Sequence, residues 1–230
     1  MKKFYKDVSV VEEDGGFAVA LDGRKVKTPA KAAQIVPTKA AAQLMANEWV
    51  TQGDEISPDT MPVTRMVNSS IDSIAKNRSH VVDEIAAFGG SDLICYRADE
   101  PDELVNRQNE AWDRFHIWLA ETWGVKLAMT TGVMPVSQRD EDLLILRQAV
   151  DKQNDFILSG LHTVVTISGS LVMGLAFLSG DFDIDDIWQA SRVDEVYQAE
   201  EWGEDWEAKD RWEKKNAELR AAAVYIDALK

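Results

Sequence analysis

The sequence has 230 residues, 45% apolar and 28% charged, which is enough for a real core and excludes a wholly disordered chain. A formal net charge of −15 argues against phosphate backbones and anionic lipid surfaces as partners. The single cysteine, Cys95, excludes an internal disulfide, a zinc ribbon and a CxxC redox pair; within the strand-like "LICYR" it is expected as a small buried hydrophobe in a reducing compartment.

Residues 1–36 predict three or four short antiparallel strands. "FYKDVSVVEE", "GFAVALDG" and "RKVKTPAKAAQIV" are valine-rich and alternate in places, and "EDGG" and "DG" between them are hairpin-turn signals. The first residues lack an apolar run and a small-residue cleavage site, so they do not read as a secretory signal. At "VPTKAAA" the period changes. Thr38 is an expected N-cap, and Ala42, Met45, Ala46 and Trp49 fall on one helical face before "QGDEISP" stops the helix.

From Pro62 onward the pattern is helical. "DELVNRQNEAWDRFHIWLAETW" places Leu104, Val105, Gln108, Trp112, Phe115, Leu119 and Thr122 at three-and-four spacing, and "QRDEDLLILRQAVDKQNDFIL" is amphipathic in the same way. The apolar run 161–179 holds His162, three serines and two threonines and lacks basic flanks. It therefore reads as a buried central helix rather than a membrane span, with Gly169, Ser170 and Gly174 allowing a neighbouring helix to come close. "DFDIDDIWQASRVDEVYQAEEW" is predicted as the next helix, with aspartates in its first turn, and Trp212, Leu219 and Ile226 form a buried stripe on the last. The expected architecture is α+β: a small antiparallel β domain over 1–36, then a helical domain over 37–230.

The acidity is concentrated. Residues 181–210 hold twelve acids against Arg192 and Lys209, a net −10, whereas residues 1–36 carry seven bases and five acids. Within this region "DEVYQAEEWGEDWEAKDRW", 194–212, combines eight carboxylates with three tryptophans. If the helix were continuous, Trp202 and Trp206 would lie within about 40° of each other and about 80° and 120° from Trp212. Gly203 is a potential break. Two arrangements stay open: both indoles packed on the helices, or an exposed aromatic pair ringed by carboxylates, the pattern of a protein docking site.

Motifs for chemistry are missing. The chain has no GxxxxGK[ST], GxGxxG, HExxH or GxSxG, and His80, His116 and His162 are scattered. "DFDIDDIWQASR" puts Asp181, Asp183 and Asp185 at calcium-loop positions, but Asp186 stands where glycine is needed and Arg192 where a bidentate glutamate is needed. Glu200, Glu201, Glu204 and Glu207 could supply a general acid and base, though nothing in the sequence marks a substrate pocket. No catalytic residue, metal or cofactor is expected.

Four stretches resemble a known family. "TPAKAAQIVPTKAAAQLMANEWVTQGDEISPDTMPVTRMVNSSID", 28–72, is similar to the first signature of the assembly chaperones of the F-type ATP synthase α subunit (assembly factor two family): a threonine-proline, a helix ending EWxxQ, then IxPxxMPxTxxxNxxID. "DLICYRADEPDELVNRQNEAWD", 92–113, resembles its next segment, "ISGSLVMGLAFLSG" its small-residue helix, and "DEVYQAEEWGE", 194–204, its terminal acidic motif. One departure is Lys209-Asp210, where many relatives carry histidine-aspartate.

The resemblance implies an N-terminal β domain with a larger helical domain. It also implies a monomeric, non-catalytic chaperone that needs no cofactor. Its partner would be the free α subunit, whose β-facing surface it would shield until the catalytic head assembles. Partner contacts are expected at Glu195, Gln198, Glu201, Trp202 and Glu204, and by carry-over of the first signature at Glu48, Trp49 and Gln52. Trp49 also reads as a core residue. The expected place of work is the bacterial cytoplasm, or the mitochondrial matrix for a mature eukaryotic form. A carboxylate-pair hydrolase and an adaptor for another client stay as alternatives.

Overall fold

A computed structural model of the chain describes residues 1–132, 134–203 and 206–230. The α+β expectation holds: a small antiparallel sheet is followed by a mainly helical region. Strands β1 (Val8–Glu13) and β2 (Gly16–Leu21) form a hairpin in register from Val8↔Leu21 to Glu13↔Gly16. The far edge of β2 pairs with β3 (Arg24–Lys25) and with β4 (Ile35–Val36).

The chain forms two compact units, and their boundary is not at residue 36. The first comprises Met1–Arg78, Asn154–Gly160 and Ala221–Lys230; the second comprises Ser79–Gln153 and Leu161–Arg220. The physical reason is that the sheet cannot bury its apolar face alone. Helix α1 (Lys39–Val50), N-capped by the Thr38 hydroxyl accepting from Ala41 N, lays Ala41, Ala42, Met45, Ala46 and Trp49 against it. Helix α2 (Pro62–Ser69) follows in the same unit, and a π-helical turn over Ser70–Ile74 leads into α3 (Ala75–Ala87).

The second unit is built around α4 (Asp102–Trp123). Its inward residues are Gln108, Trp112, Phe115, Trp118 and Leu119, whereas the predicted Thr122 is exposed. Trp118 enters the core because its indole N–H reaches Asp181 Oδ2 at 2.8 Å, which satisfies its one polar atom. Helix α5 (Asp140–Asp151) has the expected amphipathic pattern. A short parallel pair, β5 (Tyr96–Arg97) with β6 (Thr130–Thr131), interrupts the otherwise helical region; β5 falls in the strand-like "LICYR", whereas β6 lies where a helical pattern is expected.

The apolar run 161–179 is not one helix. It splits into α6 (Asp155–Ser168) and α7 (Leu171–Ser179), because Gly169 adopts φ 71° and the Ser170 hydroxyl caps α7 by accepting from Met173 N at 3.0 Å. The small residues do have the expected use, since a Cβ at Gly174 would lie 2.6 Å from Val165 Cγ2. The aspartate-led stretch likewise splits, into α8 (Ile184–Ala190) and α9 (Val193–Trp202). Asp183 and Asp186 form a capping box at the start of α8, so the calcium-like spacing serves a helix start. Helix α10 (Trp206–Asp227) completes the chain; Leu219 and Ile226 are buried as expected, but Trp212 is only half-buried. Among the described residues no helix is long and apolar enough to cross a membrane.

Candidate functional site

In the first unit the signature side chains face inward. Glu48, in the last turn of α1, accepts from Val63 N at 2.7 Å and Thr64 N at 2.8 Å, so its carboxylate caps the start of α2. Burial pushes its pKa up, opposed by these same hydrogen bonds. Trp49 is 9% exposed and meets the Tyr5 ring edge-on, while Tyr5 Oη donates to Trp49 O at 2.7 Å. Gln52 donates to Glu48 O and Thr60 Oγ1 and accepts from Ser57 N, pinning the loop after α1.

Two further pairs close the network. Thr28 Oγ1 donates to Asp72 Oδ1 at 2.7 Å while Ala30 N donates to Asp72 Oδ2, and Gln34 Nε2 donates to Asn68 Oδ1. Thr28, Glu48, Gln52, Asn68 and Asp72 are thus joints between the 28–36 segment, α1 and the helix that follows. Glu48, Trp49 and Gln52, predicted as partner contacts, are committed inside the unit.

The 92–113 segment behaves similarly. Asp92 is fully buried; its carboxylate accepts from Val172 N at 3.0 Å, and burial raises its pKa to about 6. Arg97 donates to Ile94 O, Asn109 Oδ1 and Asp113 Oδ1 and lies over the Trp112 ring. Trp112 is buried, and its N–H donates to Ala190 O at 2.7 Å.

Helix α9 has two contrasting faces. Its inner face carries Asp194, Tyr197 and Glu200 at three-residue spacing, and α4 holds all three. Gln108 Nε2 donates to Asp194 Oδ1 at 2.7 Å, Arg107 Nη1 donates to Glu200 Oε2 at 2.6 Å, and the Arg107 guanidinium lies over the Tyr197 ring. Burial, then the charge of Glu201, pushes the Tyr197 hydroxyl pKa up. The outer face carries Glu195, Gln198, Glu201 and Trp202, all exposed, with side chains that make no hydrogen bond or ion pair to another described residue. Glu204, predicted alongside them, lies outside the described residues.

The open question about the indoles has a clear answer: Trp202 is 78% exposed and Trp206 is 76% exposed. Gly203, with φ 93°, ends α9 after Trp202, so Trp202 does not share a helix with Trp212, whereas Trp206 opens α10, the helix that carries Trp212. Leaving an indole in water forgoes roughly 3–4 kcal/mol of burial each, taking about 25 cal/mol per Å² over most of a tryptophan surface. Fold stability does not account for two such residues four positions apart. Among the described residues no group of three or more acids, histidines or cysteines is placed to hold a metal ion.

A family model described as "ATP12 chaperone protein" matches residues 2–120. The chain belongs to the ATP12 chaperone family. These are the ATP synthase assembly chaperones whose signatures the sequence resembles, and this protein is similar to several members along most of its length. Atp12 from Paracoccus denitrificans, as a crystal structure, is 38% identical, with a TM-score of 0.94 over 100% of this chain and 98% of that chain. The Atu1473 protein of Agrobacterium tumefaciens is also 38% identical, with a TM-score of 0.95 over 100% of this chain and 86% of that one. The mitochondrial protein atp12 of Schizosaccharomyces pombe is 23% identical over 214 residues, covering 88% of this chain and 74% of that protein. The family model stops before α9, so the ATP12 signature it captures is mostly the inward-facing one.

Proposed function

We propose that this ATP12 family member is a non-catalytic chaperone of the free ATP synthase α subunit, covering the surface that α later buries against β. The observation that carries the reading is the outer face of α9, where exposed Trp202 stands beside the unengaged side chains of Glu195, Gln198 and Glu201. An unassembled subunit exposes a large interface prone to self-association. Apolar anchors at the centre with charge at the rim suit a complex that forms fast and must later be displaced.

Glu195, Gln198, Glu201 and Trp202 are the proposed contacts, with Glu204 next to them in sequence. Glu48, Trp49 and Gln52 enter as the scaffold of the first unit. The chaperone acts as a monomer without a cofactor, in the bacterial cytoplasm or, for a mitochondrial relative, in the matrix. The test is capture of α from a lysate lacking assembled head, using wild type, Trp202→Ala and Glu201→Lys as bait. Wild type should retain α without β. Each variant should retain about tenfold less, a loss of about 1.4 kcal/mol of binding free energy. Equal retention by both variants would overturn the assigned surface.

A further inference from the structure

Behind the exposed face of α9, the second unit contains an open groove of about 450 Å³ lined by Trp188, Arg192, Val196, Ala199, Trp212 and Asn216, among others. A neighbouring hollow of about 270 Å³ shares Trp188, Arg192 and Val196 with it. The walls are largely aromatic and aliphatic, and two cations, Arg192 and Lys209, stand among them. Arg192 Cζ lies 3.7 Å from the Trp212 ring centroid and 4.7 Å from that of Trp188.

Those contacts hold the guanidinium carbon over both rings. They supply no oxygen acceptor to its N–H donors. Arg192 Nε is buried without a hydrogen-bond partner, and no described residue accepts from the other nitrogens of this side chain. Burial lowers the pKa of Arg192, opposed by the charge of Glu195. A buried N–H donor left without an acceptor is costly unless a ligand supplies one. The other arginines nearby differ in this respect: Arg107 and Arg114 each hold a carboxylate within 2.7 Å.

The geometry points to this groove as a binding site for a peptide segment of the client that presents a carboxylate between apolar side chains, with Arg192 receiving the carboxylate edge-on. This rests on the chaperone reading proposed above. A planar fork of donors matches a carboxylate in two places at once. A free anion is disfavoured because Glu200 and Glu213 repel it, offsetting Arg192 and Lys209 in the same groove, and Glu195 is close enough to act on Arg192. A peptide side chain overcomes that repulsion through the apolar area buried by its neighbours on Trp188, Val196 and Trp212. The client segment would then be mixed in character, with bases facing the acids of α9 and an acid reaching into the groove.

The experiment titrates the full chain with N-acetyl-Leu-Glu-Leu-amide and follows the indole N–H signals of Trp188 and Trp212 and the Arg192 Nε–H signal by NMR. The glutamine counterpart, sodium acetate and inorganic phosphate are the control ligands. Saturable shifts are expected with the glutamate peptide, and at least about tenfold weaker binding with each control, a difference of about 1.4 kcal/mol. Arg192→Gln should weaken the peptide by a similar factor. Arg192→Lys, which keeps the cation without the planar fork, replaces it if the glutamine variant fails to fold. No saturable shift, equal shifts with the glutamine peptide, or binding of acetate or phosphate as strong as the peptide would each overturn the site. The same variant should lower capture of α about tenfold at unchanged unfolding midpoint; undiminished capture would overturn the client as occupant. If wild type captures no α at all, the chaperone reading fails, while the peptide titration still judges the groove.

Discussion

Residues 28–72 and residues 194–202 carry the same kinds of motif residue, glutamate, glutamine and tryptophan, and place them in opposite environments. Glu48 caps α2 through two backbone N–H groups, whereas Glu201 has no described hydrogen-bond partner. Trp49 is 9% exposed and Trp202 is 78% exposed. Gln52 makes three hydrogen bonds that close a loop, and Gln198 points to solvent. Residue type within a motif therefore does not reveal role. A motif residue whose hydrogen-bonding capacity is filled inside its own unit preserves the shape of the fold; one left unfilled and exposed is available to a partner.

The contrast can be broken most directly at the tryptophans. Trp49→Ala should destabilise the chain by about 3–5 kcal/mol, as removing a large buried aromatic does, read as a lowered urea midpoint. If Trp49→Ala left that midpoint unchanged while abolishing α capture, the inward assignment of the first signature would fail.

Asp92 extends the inward side of the comparison to the second segment. Its pKa is raised by burial to about 6, so the folded chain holds this proton more tightly than the unfolded one. The contribution is complete below the ordinary carboxylate range and is lost as pH rises through 6. With a shift of roughly two units, wild type should lose roughly 3 kcal/mol from this group between about pH 4 and about pH 7. Asp92→Asn should flatten that part of the urea-midpoint profile, though it forfeits an acceptor for Val172 N. An unchanged slope would remove Asp92 as the cause.

Glu48→Ala should cost about 2 kcal/mol, since it leaves the Val63 and Thr64 N–H groups without their acceptor. The smallest stability effect belongs to the outward side: Trp202→Ala and Glu201→Lys should change stability by no more than about 0.5 kcal/mol, as exposed substitutions do. A loss in either variant comparable to that of Trp49→Ala would show that the α9 face is structural and erase the contrast.

Local signals carried much of the fold. The valine-rich hairpin, the Thr38 cap, the apolar face of α1 and the long amphipathic α4 each follow from a period and a cap that a short stretch contains in full. Breaks within apolar or acidic runs were harder to see. Gly169 and Ser170 read as small packing residues until their backbone angles make them a C-terminal stop and an N-cap. The two-residue parallel pair β5–β6 is too short to leave a period at all.

By itself the sequence determined the fold class, the concentration of acid near residue 200 and, through its signatures, the family. Tertiary structure alone decided which motif residues face inward, that Trp202 and Trp206 stand in solvent, and that Arg192 lies between two indoles without an acceptor. The reason is physical. Periodicity and capping are properties of neighbours in the chain, whereas burial and hydrogen-bond satisfaction are set by residues brought together from distant positions, as Gln108 and Asp194 are.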